Sequence, residues 1–130
     1  MLARQERRLA AVHIISIVDD DASFRRAMAT LVRSLGYAAA TFGSAEEFLR
    51  SDGVAHTGCL VSDVRMPGMD GLALQARLRA DGHRVPIIFV AVDPSPPARA
   101  KALAAGALAF LDKPFDEERL IALLQQALGR

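Results

Sequence analysis

At 130 residues, 52% of them hydrophobic and with a formal net charge of +1, the chain has the size of one domain able to bury a substantial core. Arg4, Arg7 and Arg8 sit beside Glu6 in a short leader over residues 1–12, and the absence of a long basic stripe argues against direct nucleic-acid binding. The lone Cys59 excludes a disulfide framework or a cysteine zinc site within one chain and fits a reducing, cytoplasmic setting.

The first apolar stretch, residues 12–18, is interrupted by His13 and Ser16 and runs into Asp19-Asp20-Asp21, unlike a signal-peptide core or a membrane span. Residues 13–18 read instead as a strand. A helix follows over 22–35, with Phe24, Met28, Leu31, Val32 and Leu35 on one stripe and Gly36 suited to the left-handed turn beyond it. After a second strand over 37–42, Ser44-Ala45-Glu46-Glu47 forms a capping box opening a short helix that carries Phe48 and Leu49. A loop over 51–58 leads to a third strand, 59–62, and a helix over 72–80 that stops near Gly82. A fourth strand, 87–91, precedes the proline-rich segment 93–97, where Ser95 and Pro96 open a fourth helix ending at Gly106. The fifth strand covers 107–111. Asp116 then caps a helix over 117–128, with Leu120, Ile121, Leu123, Leu124 and Leu128 on its apolar face and Glu117 and Glu118 matching the helix dipole.

Most of the strands are apolar throughout, as strands covered on both faces are. Strand and helix alternate five times, and parallel strands need such crossovers. The pattern predicts an α/β fold, a doubly wound parallel sheet of order 2-1-3-4-5, over one domain spanning residues 13–130. No internal repeat, low-complexity tract or inter-domain linker is visible.

Ligands of open parallel sheets bind beyond the carboxyl ends of the strands, near the point where strand order reverses. The first strand ends in Asp19-Asp20-Asp21, the third in Asp63, and the fifth just before Lys113-Pro114. Asp21 also reads as the cap of the next helix. Carboxylates meeting at one point repel unless a cation lies among them, and an oxygen-only set with room for water suits Mg²⁺ better than zinc. Such a pocket can bind a phosphoryl donor, with the metal and an ammonium offsetting the phosphoryl charge while an aspartate attacks in line to give an acyl phosphate. Lysine occurs only at Lys101 and Lys113 among sixteen lysines and arginines, which suits a compact single-point ammonium at Lys113.

Three segments, Ile17-Val18-Asp19-Asp20-Asp21, Val61-Ser62-Asp63-Val64-Arg65-Met66-Pro67-Gly68-Met69-Asp70-Gly71 and Phe110-Leu111-Asp112-Lys113-Pro114-Phe115, resemble the signature motifs of bacterial two-component response regulator receiver domains. The wording is most similar to receivers that precede a LuxR-type DNA-binding domain in nitrogen-fixation regulators, and the likeness covers about residues 13–128. It implies a flavodoxin-like (βα)5 fold and a phosphoacceptor, Asp63, charged by a sensor histidine kinase or phosphotransfer protein. Asp20, Asp63 and the backbone carbonyl of Arg65 would hold Mg²⁺ directly, with Asp19 acting through water and Lys113 contacting the phosphoryl group. It further implies a cis peptide bond between Lys113 and Pro114, Phe110 as the aromatic residue of a conformational switch, and self-directed phosphotransfer and dephosphorylation in place of turnover as an enzyme.

One position departs from the pattern. Similar receivers end the fourth strand in threonine or serine, whereas this chain has Ala91, which has no hydroxyl for the phosphoryl group. Asp93 brings a further carboxylate, and Arg65 and Asp93 either pair across the pocket mouth or stand as solvated groups. The helix with Arg99, Lys101 and Leu103 among many alanines, together with the fifth strand, forms the expected output surface for a partner or a homodimer. A phosphorylation-independent interaction domain is the alternative that Ala91 motivates. An aspartate-nucleophile phosphatase would want a D-x-D arrangement and a cap insertion, and a flavin site would want a Ser/Thr/Gly phosphate loop in place of three aspartates. A chain stopping at Arg130 is compatible with a stand-alone receiver or with the front of a longer regulator.

Overall fold

The computed structural model describes residues 14–129, so the leader over residues 1–12, His13 and Arg130 lie outside the described residues. Five strands and six helices follow one another: β1 (Ile14–Val18), α1 (Ala22–Ser34), β2 (Ala38–Phe42), α2 (Ala45–Arg50), α3 (Gly53–His56), β3 (Cys59–Ser62), α4 (Gly71–Ala80), β4 (Ile87–Ala91), α5 (Pro96–Ala104), β5 (Ala109–Asp112) and α6 (Glu117–Leu128). Five of the helices start where a short polar side chain accepts a backbone N–H of the first turn: Asp21, Ser44, Asp70, Ser95 and Asp116. Each such cap satisfies a donor with no partner inside the helix. The exception is α3, whose Asp52 makes no side-chain cap bond.

The sheet is wholly parallel with order β2-β1-β3-β4-β5, as the alternation predicts. Successive residues along a strand face opposite sides, and the core divides accordingly. Ile15, Ile17, Val61, Ile88 and Val90 pack with Met28, Val32, Leu120 and Leu124 of α1 and α6. Leu60, Ile87 and Phe89 pack on the other side with Phe48, Leu74, Leu78 and Ala102 of α2, α4 and α5. Each fully buried side chain of this size stabilises the fold by about 1.5–3 kcal/mol relative to exposure. Among the described residues no helix is long and apolar enough to cross a membrane.

Three local expectations change. The second strand spans Ala38–Phe42 instead of residues 37–42, because Tyr37 N–H turns back to the Val32 carbonyl of α1 at 3.3 Å. The fifth strand spans Ala109–Asp112 instead of residues 107–111: Ala107 N–H still donates to Ala102 at the end of α5, and Asp112 pairs with Ala91. The presumed loop over 51–58 contains α3, tied down by Thr57, whose hydroxyl donates to the Gly53 carbonyl and shares a 2.6 Å hydrogen bond with buried Ser16. A single turn is too short to leave an apolar period in the sequence.

Candidate functional site

Parallel pairing sets Val18 opposite Ser62, so the next residues, Asp19 and Asp63, leave adjacent strands side by side, and Asp63 N–H donates to the Val18 carbonyl at 3.0 Å. Carboxylate oxygens of Asp19, Asp20 and Asp63 lie within 4.8 Å of one another. Their environments differ. Asp19 is fully buried and Asp20 is exposed, while Asp63 is intermediate. Asp19 Oδ1 accepts the Asp21 N–H at 2.9 Å, and its Oδ2 accepts from Lys113 Nζ at 2.7 Å. Asp21 turns to the helix, capping α1 through Ser23 and Phe24.

Lys113 reaches the acidic cluster from beyond β5, across the end of β4. Its Nζ lies 3.8 Å from Asp63 Oδ2 and 4.0 Å from the centroid of the Phe24 ring. The Lys113–Pro114 peptide bond is cis. A cation over an aromatic face and against a buried carboxylate is held from two sides.

Burial pushes the Asp63 carboxyl above its ordinary value and the neighbouring Asp19 charge adds to this, while Lys113 and the N–H groups of Val64 and Arg65 oppose it. The Val64 N–H donates to Asp63 Oδ1 at 2.7 Å. Beyond it the chain doubles back, and Gly71 N–H donates to the Val64 carbonyl at 2.7 Å. A Cβ at Gly71 would collide with the Asp63 carbonyl oxygen, so the motif requires glycine there to let the helix start this close to the strand end.

On its other side Asp63 borders a cavity of about 220 Å³, lined also by Arg65, Ala91, Val92, Asp93 and Ser95. Ala91 is 3% exposed. The adjacent Ser62 hydroxyl is engaged, donating to the Asp63 carbonyl at 2.8 Å. Asp93 takes a left-handed conformation with φ 43°. Both Arg65 and Asp93 are exposed, and among the described residues no ion pair joins them, so the solvated alternative holds.

Phe110 is 5% exposed, its ring 5.7 Å from that of Phe89. Arg99 covers it from α5: the guanidinium lies 5.0 Å from the ring centroid and donates to the Phe110 carbonyl at 3.1 Å and to Asp112 at 2.6 Å. Arg99 is therefore tied to β5, whereas Lys101 and Leu103 of the same helix are exposed. Cys59 is remote from this chemistry, and burial pushes its thiol up to about 12, which leaves it unreactive.

Several contributors carry no sequence signal. Arg25 donates to the Asp19 carbonyl at 2.6 Å, Phe24 lies beneath Lys113, and Glu46 reaches the segment after Asp63; each is an ordinary helix residue by composition. An oxygen-only cluster of three carboxylates, one of them exposed, suits a hard divalent cation with retained waters.

A doubly wound parallel sheet carrying three acids and a lysine at its carboxyl edge fits the class of phosphoacceptor signalling domains. The sequence pattern of the response regulator receiver domain matches residues 15–125, and the chain belongs to that family of two-component systems. It is 44% identical over 115 residues to the response regulator protein TmoT of Ectopseudomonas mendocina, covering 88% of this chain and 52% of that protein. It is 38% identical over 114 residues to the transcriptional regulatory protein FixJ of Bradyrhizobium diazoefficiens, covering 88% and 56%. Full-length FixJ from B. japonicum superposes with a TM-score of 0.82 at 37% identity, covering 90% of this chain and 58% of that one. A response regulator receiver protein from Burkholderia phymatum superposes at 0.76 with 41% identity, covering 89% and 94%. The chain spans about half the length of the curated relatives it matches.

Proposed function

We propose that Asp63 accepts a phosphoryl group from a sensor histidine kinase or phosphotransfer protein in a Mg²⁺-dependent reaction, and that the acyl phosphate alters a partner-binding surface. The observation that carries this is the convergence of Asp63 with Asp19, Asp20 and the Lys113 ammonium at one strand edge. In the transfer an Asp63 carboxylate oxygen attacks phosphorus in line, forming a P–O bond as the donor's P–N bond breaks, and the released imidazole takes up a proton.

Asp20, Asp63 and the Arg65 carbonyl would hold the Mg²⁺, with Asp19 behind a water. The bound ion supplies charge neutralisation for phosphoryl oxygens. Lys113 moves its ammonium from the Asp19–Asp63 pair onto an incoming oxygen. Asp19 keeps the Asp21 N–H on its Oδ1, and the charge that Lys113 leaves would be compensated by the bound cation. Dephosphorylation through the same groups makes the protein act only on itself.

Residues 13–130 act as one receiver unit behind the 1–12 leader, in the cytoplasm, which the single buried thiol of Cys59 supports. The surface of α5 and β5, where Lys101 and Leu103 are exposed and Phe110 and Asp112 are bound by Arg99, serves the output, including association of two copies. The apolar wall at Ala91 favours a second reading, an interaction domain that does not use phosphate. Borohydride trapping after exposure to acetyl phosphate and Mg²⁺ separates the two. The proposal expects reductive conversion at residue 63 alone, and an unmodified Asp63 supports the second reading.

A further inference from the structure

The segment between Asp63 and α4 crosses open surface with Arg65, Pro67, Gly68 and Asp70 exposed, and it carries the Arg65 carbonyl that the reading above gives to the metal. Connections of this kind are mobile unless tied down. At its start the segment is tied locally by the Val64 and Arg65 N–H groups on the Asp63 carboxylate, and at its far end by the Gly71 N–H to Val64 carbonyl bond and the Asp70 cap on Ala73. Val64 and Met66 add anchors in the core. The other tie comes from 23 residues away: Glu46 Oε2 accepts the Met69 N–H at 3.0 Å.

Glu46 stands on a fixed platform. Ser44 caps α2 through Glu47 N–H, and Phe48, fully buried, packs edge-on to Phe42 at 5.1 Å. Its carboxylate also fills the space beside Gly68, which has φ 75° and where a Cβ would collide with Glu46 Oε2. The missing side chain at 68 and the carboxylate at 46 therefore fit one another, and a carboxylate bonded to a backbone N–H is among the stronger hydrogen bonds.

We infer that Glu46 is a positioning residue for the metal: through Met69 and the space at Gly68 it fixes the 64–70 segment and so holds the Arg65 carbonyl beside Asp63. The idea rests on the metal assignment proposed above. It makes α2, which contributes no ligand, part of the site's support. Losing a group behind a metal ligand weakens binding by on the order of tenfold or more.

The test is Mg²⁺ titration of the full chain by calorimetry, with the Met69 amide followed by NMR hydrogen exchange. Glu46→Ala should free the Met69 amide and weaken Mg²⁺ binding on the order of tenfold. Glu46→Gln, which keeps an oxygen acceptor, should retain most of both. Glu46→Asp, which withdraws the acceptor by one carbon and leaves the left-handed backbone at Gly68 (φ 75°) untouched, should weaken both in the same direction, which keeps the inference testable should Glu46→Ala be poorly folded. A freed Met69 amide with unchanged Mg²⁺ affinity in these variants overturns the inference and leaves Glu46 a purely structural tie. Failure of wild type to bind Mg²⁺ at all overturns the metal assignment itself.

Discussion

Lys113 Nζ lies 2.7 Å from Asp19 Oδ2, a pairing between residues 94 positions apart that joins β1 to β5 across the acidic pocket. Asp19's side chain is 1% exposed and that of Lys113 15%, so the pair is largely withdrawn from water. Removing one member of a buried pair leaves the other charge uncompensated, at a cost of about 3–5 kcal/mol. Lys113→Met, which preserves the contact with Phe24, should therefore destabilise the metal-free protein by about 3 kcal/mol, measured by urea unfolding, and added Mg²⁺ should recover part of the loss. An unchanged midpoint would show that Asp19 does not depend on the lysine.

Asp19 and Asp20 should respond differently to the metal. Asp19 is buried and already bonded to Lys113 and Asp21, whereas Asp20 is exposed and its carboxylate has no hydrogen bond among the described residues. As the proposed direct ligand, Asp20 should lose more Mg²⁺ affinity on conversion to asparagine than Asp19, on the order of tenfold more. Equal losses in a calorimetric titration would contradict that division.

The chain's chemistry was legible where function sits at strand ends. Asp19, Asp63 and Lys113 announce themselves because acids and a lysine terminate apolar runs, and the caps at Asp21, Ser95 and Asp116 obey local rules that need no tertiary information. The Arg65–Asp93 question could not be settled from residue types, since whether two exposed groups meet depends on loop conformation. Nor could Arg25, Phe24 or Glu46 be found, because their contacts follow from how α1 and α2 pack onto the sheet. The single-turn helix Gly53–His56 escaped for want of length.

Asp63 should show a pH signature. Its carboxyl is pushed above the ordinary value of 3.8, chiefly by burial. The unfolded chain thus ionises first, and this group's contribution to stability, full below 3.8, is lost as pH rises through the higher folded value. In metal-free protein Asp63→Asn, which cannot ionise, should unfold at a higher temperature than wild type at pH 7 and show no such advantage below the ordinary carboxylate range. A gain that persists unchanged at low pH would point to a cause other than ionisation.

Ala91 bears on how strongly the proposed phosphorylation is felt. A ligand shifts a conformational equilibrium only through contacts that differ between states. A hydroxyl bonded to a charged oxygen is worth about 1.5–3 kcal/mol, close to the whole of a typical allosteric coupling of about 1–3 kcal/mol. With Ala91 lining the cavity beside Asp63 and Ser62 engaged elsewhere, wild type should bind beryllofluoride yet respond weakly around Phe110 and α5 in NMR spectra. Ala91→Thr should strengthen that response. Full switching in wild type, unaltered by threonine, would mean that another donor fills the role.

The most direct measurement of the central claim is intact mass after incubation with acetyl phosphate, with Mg²⁺ or with excess chelator. Wild type should gain a single phosphoryl group with Mg²⁺ and little or none with chelator, and Asp63→Asn should gain none under either condition. Incorporation that survives Asp63→Asn, or a wild-type chain that stays unmodified with Mg²⁺ present, would contradict it.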